Sequence, residues 1–138
     1  MRIFLDTNVL VSAVATRGLC ADVLREILTR HQLIISNSLI RELKNALGKK
    51  LAVPEDLVSE LVEVIQKESY FSTSSALPDI DIKDKDDIPI LSSALNGKAD
   101  LFITGDKELL GLRRIRKMEI VSPRMFWEKL QTQQRDKP

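Results

Sequence analysis

The sequence predicts a single α/β domain: three layers, α/β/α, around a central, mostly parallel sheet. Two observations carry this. Short, wholly apolar runs such as Ile3-Phe4-Leu5, Leu33-Ile34-Ile35 and Leu101-Phe102-Ile103 have the pattern of strands buried on both faces. Between them lie segments with apolar residues at helical spacing, which is the signature of strand–helix–strand crossovers. The 138 residues suit one domain with a proper core, assigned to 1–130, followed by a polar tail over 131–138.

Each element follows from its residues. Ile3 to Leu5 form the first strand, and Val9 to Ala15 open a helix. Leu19, Val23, Leu24, Ile27 and Leu28 recur at helical period, and Leu33 to Ser36 form the second strand. Asn37 or Ser38 caps a helix through about Leu47, which Gly48 ends. Pro54 and Glu55 start another, with Leu57, Leu61, Val62 and Ile65 as its apolar stripe. Tyr70 to Ser75 is extended, and Leu77 to Lys85 is an acidic loop containing Pro78. Asp86 or Asp87 opens a helix through Leu95, and Asn96-Gly97 stops it. Leu101 to Thr104 is a strand, Asp106 caps a short helix ending near Gly111, Glu119 to Val121 is the last strand, and Ser122-Pro123 opens a terminal helix with Phe126, Trp127 and Leu130.

Composition narrows the class. Hydrophobic content of 43% and charged content of 30% describe a globular chain. No stretch reaches the ~20 apolar residues of a membrane span, and Asp6 interrupts the first apolar run, so no signal region is expected. The lone Cys20 permits no internal disulfide, fits a reducing compartment and reads as a small core residue; a cytoplasmic location is the expectation. A net charge of +1 gives no bulk grip on nucleic acid. The charge is uneven, however: Asp79, Asp81, Asp84, Asp86 and Asp87 crowd one stretch, and Arg113, Arg114, Arg116 and Lys117 another.

The acids fall where chemistry is done in such folds, outside the carboxyl ends of strands. Asp6 follows the first strand. Thr104-Gly105-Asp106 repeats the pattern after a later one, with a helix cap as the alternative role for Asp106. Glu42 lies about 40° outside the apolar arc of its helix, at the edge of the buried face, where a solvated flank is the plainer reading; Arg41 points outward. Asp87 falls on the inward side of its helix, between Leu91 and Ala94 in azimuth. A first-turn acid is the alternative there, with Asp86 equally able to cap and Asp84 a third candidate. Two unit charges roughly 4 Å apart repel by about 4 kcal/mol at an effective dielectric of ~20, so converging carboxylates must protonate or bind a cation. Hard oxygen donors select Mg²⁺ or Mn²⁺. One Cys and one His, Cys20 and His31, do not make a zinc site or a Ser-His-Asp centre, and His31 reads as a surface residue. Neither GxxxxGK[ST] nor GxGxxG occurs.

Taken in order, Asp6-Thr7-Asn8, Ser38 to Glu42, Asp86-Asp87 with Ala94, and Thr104-Gly105-Asp106 resemble PIN-domain ribonucleases. The nearest look is to bacterial and archaeal members regarded as toxins of toxin–antitoxin systems. The resemblance runs from about Arg2 to Trp127. It implies that Asp6, Glu42, Asp87 and Asp106 are the catalytic, metal-binding acids, with Asp87 preferred to Asp86, and that Asn8 and Thr104 position water or phosphate. Ile88 stands where a polar residue is common. The implied activity is Mg²⁺- or Mn²⁺-dependent hydrolysis of RNA phosphodiester bonds, with RNA as substrate, an antitoxin protein as partner and a homodimer as an assembly. Arg113, Arg114, Arg116 and Lys117 are candidates for tracking the RNA backbone, against a solvated charge run. For self-association the candidate surfaces are Tyr70-Phe71 and the Phe126-Trp127 helix. A non-catalytic PIN fold that binds RNA or assembles with partners is the rival. A phosphoacceptor receiver would need paired acids after the first strand, and a haloacid-dehalogenase-type phosphatase Asp-x-Asp; Thr7 and Asn8 break those patterns.

Overall fold

The computed structural model describes residues 1–73, 82 and 84–135, the last two by their backbone alone. Most of the expected acidic loop, and the extension of the third strand to Ser75, lie outside these residues. The described elements are β1 (Arg2–Leu5), α1 (Thr7–Ala15), α2 (Leu19–Arg30), β2 (Gln32–Ser36), α3 (Asn37–Asn45), α4 (Glu55–Lys67), β3 (Ser69–Ser72), α5 (Ile88–Asn96), β4 (Leu101–Ile103), α6 (Lys107–Leu112), β5 (Arg114–Ile115), β6 (Met118–Val121) and α7 (Pro123–Arg135). A π turn, Ala46–Lys50, extends α3, and a 3₁₀ turn, Lys85–Asp87, leads into α5.

The strands form one six-stranded sheet in the order β3-β2-β1-β4-β6-β5, parallel except for the β5–β6 pair. The chain starts at the centre, moves outward through β2 to β3, then returns to place β4 on the other side of β1. The direction of winding therefore reverses between β1 and β4. In open parallel sheets such a reversal leaves a crevice at the carboxyl ends of the two strands. Ile3, Phe4, Leu5, Leu33, Ile34, Ile35, Phe102 and Ile103 are completely buried, as strands covered on both faces require. Phe4 and Phe102 are register partners on β1 and β4, and their rings stack with centroids 5.6 Å apart.

Close packing reaches the backbone at Gly97, just after α5. A Cβ there would stand 2.5 Å from Ile34 Cγ2, so no larger residue fits without movement. The Gly97 carbonyl also accepts from Arg2 Nε at 2.9 Å and Nη2 at 2.7 Å, tying α5 to the start of β1.

Several expectations need correction. The cap of α3 is Ser36, whose hydroxyl accepts from Leu39 N at 3.2 Å, rather than Asn37 or Ser38. Gly48 does not end that helix; the π turn carries it to Lys50 and closes with Leu51 N donating to Ala46 O at 3.1 Å. On α4 the buried residues are Val58, Val62 and Ile65, while Leu57 is 45% exposed. Val62 and Ile65 are buried as expected, and Leu61 packs at the edge of the core. The stripe is rotated so that Val58 replaces Leu57, because Leu57, Leu61 and Val64 offer a second apolar row at helical spacing. Helix α7 runs through Arg135, past Gln131 where the polar tail was expected. Phe126 is fully buried and packs edge-on against His31, which is therefore no surface residue and leaves Phe126 no part in self-association. His31 is held between the Met1 amino group and Glu26, and burial pushes its pKa down. Cys20 is half-buried against the core.

Candidate metal centre at the sheet edge

Asp6 is the first residue past β1, and its N–H still pairs with Ile103 O of β4 at 2.9 Å. That bond holds its side chain over the β1–β4 crevice. One carboxylate oxygen, Oδ1, accepts from Thr7 N at 2.8 Å, capping α1, and the other accepts from Thr104 Oγ1 at 2.8 Å. Thr104 is fully buried just past β4, and its hydroxyl oxygen also accepts from Asp106 N at 3.0 Å. One hydroxyl thus couples the loops after both central strands. Thr104 acts through Asp6 rather than lining the cavity.

Asp106 caps α6, its Oδ1 accepting from Glu108 N at 2.8 Å and Leu109 N at 3.2 Å. Capping uses that one oxygen. Glu42 reaches in from α3, exposed, and accepts a hydrogen bond from Thr7 Oγ1. The acids before α5 divide their work. Asp84 caps the 3₁₀ turn by accepting from Asp86 N at 3.0 Å, whereas Asp87 makes no capping bond. The half-buried Asp87 carboxylate is left for the crevice, which separates it from the capping Asp84 and, by its burial, from the exposed Asp86.

These residues line one cavity of about 430 Å³: Asp6, Thr7, Asn8, Glu42, Asn45, Ala46, Lys50, Asp84, Asp86, Asp87 and Asp106. All four acids singled out in the sequence meet there, with Asn8. The carboxylates sense one another. Burial, opposed by the bonds from Thr104 and Thr7 and reinforced by the charges of Glu42 and Asp106, raises the pKa of Asp6. Burial, then the charges of Asp6, Asp84, Asp106 and Glu42, raises that of Asp87 to about 6.

The donor set is wholly oxygen, which suits a hard divalent cation such as Mg²⁺ or Mn²⁺. Among the described residues no three His, Cys, Asp or Glu side chains already stand as a finished coordination group. The fit is one of chemistry and mutual repulsion, which a cation entering among the acids would relieve.

Besides Ala46, sequence reasoning missed three polar lining residues. Thr7 and Asn45 were within reach of it: one adjoins Asp6, and the other lies three residues past Glu42 on the same helix face. Lys50 was not, because its position depends on the π turn. The basic run lies elsewhere. Arg116 and Lys117 form the β5–β6 turn and share a cavity with Lys98 and Asp100, at the amino ends of β4 and β6; Arg113 lines a groove between α6, β6 and α7. None of Arg113, Arg114, Arg116 and Lys117 borders the acidic cavity, though all four are exposed.

The comparisons agree with this architecture. No curated protein matches the sequence. A chain of the crystal structure of VapBC2 from Rickettsia felis bound to a DNA fragment from their promoter superposes with a TM-score of 0.62 at 15% identity, covering 88% of this chain and 98% of that one, and so shares the fold. The family model described as PIN domain matches residues 2–108, which include β1 to β4, all four acids and the cavity they line. The chain belongs to the PIN domain family.

Proposed function

We propose that this protein is a divalent-metal-dependent endoribonuclease whose reaction centre is the cavity at the carboxyl ends of β1 and β4. The observation that supports it best is convergence. Asp6, Glu42, Asp87 and Asp106 come from four separate parts of the chain, yet line one cavity. Clustering like charges is costly for folding alone, so a shared cation is the economical reason for the arrangement.

In this reading Asp6, Asp87, Asp106 and Glu42 would hold Mg²⁺ or Mn²⁺, which would supply activation of water and stabilisation of the charge developing on the phosphate and leaving oxygen. The chain's own groups set the stage. Asp6 is oriented by the Thr104 hydroxyl and the Thr7 amide. Glu42 is oriented by the Thr7 hydroxyl. Asn8 offers a side-chain amide at the rim for water or a phosphate oxygen. Asp87, its pKa raised to about 6 by burial and the neighbouring carboxylates, changes protonation between pH 5 and 7. Arg113, Arg114, Arg116 and Lys117 would meet RNA only along a distal stretch of its backbone.

The test is cleavage of RNA by wild type with Mg²⁺, Mn²⁺ or chelator, beside Asp6→Asn. Divalent-dependent cleavage lost in the variant is expected. Absence of cation-dependent cleavage, or an equally active Asp6→Asn, would leave a non-catalytic PIN module instead. The resemblance in sequence to toxin components, with the fold shared with a chain of VapBC2, supports a toxin role with an antitoxin partner in the cytoplasm. Growth arrest on expression, relieved by co-expressing the product of an adjacent gene, is the expected outcome. Tyr70 and Phe71, 49% and 43% exposed on the edge strand β3, are the surface proposed for a homodimer.

A further inference from the structure

We infer that Lys50 is a substrate-binding residue of this centre, gripping a backbone phosphate of the nucleic acid beside the acids. The inference rests on the nuclease reading for its choice of ligand, but on separate observations for the residue. Lys50 is the only cationic side chain among the described residues lining the acidic cavity. No ion pair joins it to a carboxylate among the described residues, so its charge is not spent on the acids around it. A polyanion approaching this cavity would meet six carboxylates, those of Asp6, Glu42, Asp84, Asp86, Asp87 and Asp106, and one ammonium. Cations held by the acids would lower the repulsion, and Lys50 supplies a fixed positive charge at the rim.

The backbone explains how Lys50 gets there. Glu42 already faces the cavity from α3. Continued as an α-helix, residue 50 would lie about 80° round the axis from residue 42, since eight steps of about 100° exceed two turns by that amount. The π turn over Ala46–Lys50 takes more residues per turn and advances less with each. It swings Lys50 back toward the line of Glu42. Here the turn, at the end of α3, keeps Leu47 buried on the core side while Lys50 is exposed at the cavity. A lysine suits this role, being a compact charge on a flexible stem that contacts phosphate without demanding one geometry.

The experiment measures binding of a fluorescent, mixed-sequence, single-stranded RNA oligonucleotide as a function of salt. It uses an Asp6→Asn parent so that nothing is cleaved, with Lys50→Ala and Lys50→Arg added to it. One phosphate contact on a single strand is worth about 0.7 in the slope of log K against log salt. Lys50→Ala should reduce the slope by about that much and weaken binding several-fold at low salt, with Lys50→Arg close to the parent. Thermal unfolding should be unchanged, since the side chain is exposed. Parental affinity and slope in Lys50→Ala would overturn the inference, as would a parent that does not bind RNA. Cleavage by wild type is scored separately. An altered slope without any wild-type cleavage would sink the nuclease reading and leave Lys50 standing. Wild-type cleavage with an unaltered slope would do the reverse.

Discussion

The two ends of the sheet differ in charge and in how they acquire it. At the carboxyl ends of β1 and β4, acids from four parts of the chain converge, and hydrogen bonds from Thr7 and Thr104 set two of them in place. At the amino ends of β4 and β6, Lys98, Arg116 and Lys117 are exposed at turns with no such support among the described residues. Lys98 and Arg116 sit there with φ of 57° and 55°, in the left-handed region that side chains seldom adopt. The acidic end is organised by the fold, whereas the basic end is a charged surface beside a tight hairpin. The four residues of β1 span ~13 Å. That exceeds the ~8 Å over which exposed charges sense one another in physiological salt, so each end can be altered without the other.

The contrast breaks most visibly at Asp6. Asp6→Asn should reduce divalent-dependent RNA cleavage by ~100-fold or more, a larger loss than an outer partner of a metal ligand gives. Calorimetric titration with Mn²⁺ should show weakened binding in the same variant. Next comes Thr104→Val, which keeps the shape but removes the hydroxyl that orients Asp6 and accepts from Asp106. Cleavage should fall by about 10- to 100-fold. Stability should drop by ~1–3 kcal/mol in urea unfolding, because the Asp106 amide loses its partner.

Asp87 sharpens the comparison through pH. Below its pKa of about 6 the neutral carboxyl no longer offers charge to a cation, so the cleavage rate should decline as pH falls from 7 through 6. Raising Mn²⁺ should move that midpoint lower. Without metal the sign for stability is opposite. The folded form takes up the proton more readily than the unfolded chain, with its ordinary value of 3.8, so folding stability decreases as pH rises from about 4 to about 6. Asp87→Asn should therefore raise Tm at pH 7 relative to wild type, and by less at pH 4. The smallest effect belongs to the basic end. Arg116→Ala with Lys117→Ala should change cleavage of a short RNA by less than about twofold, given the screening distance. A large loss would show that substrate runs the length of the sheet.

Much of this was legible in the chain because it depends on local rules. Strands buried on both faces are continuous apolar runs, and Ile3 to Leu5, Leu33 to Ile35 and Leu101 to Ile103 appear where those runs stand. Local position made each of the four acids a candidate, at a strand end or on the inward edge of a helix, but left a cap or a solvated flank open for them. The family resemblance grouped them, and the fold brings them to one cavity. What failed had degenerate local signals. Helix α4 offers two apolar rows, and only the sheet beneath selects Val58, Val62 and Ile65. The β5 strand is two residues long between Arg113 and Arg116, both at positive φ without glycine, and no composition cue marks it. The fate of Gly48 depended on a π turn that it neither causes nor prevents by itself.

By itself the sequence determined the class of fold, the buried strands and the carboxylates, since hydrophobic period and side-chain chemistry are properties of short segments. Tertiary structure alone decided that Asp87, and not Asp84, keeps its carboxylate free of capping. It also decided that Lys50 faces the acids, and that Arg116 and Lys117 stand at the far end of the sheet from them. These are choices among locally equivalent alternatives, and only packing against the rest of the chain makes them unequal in energy.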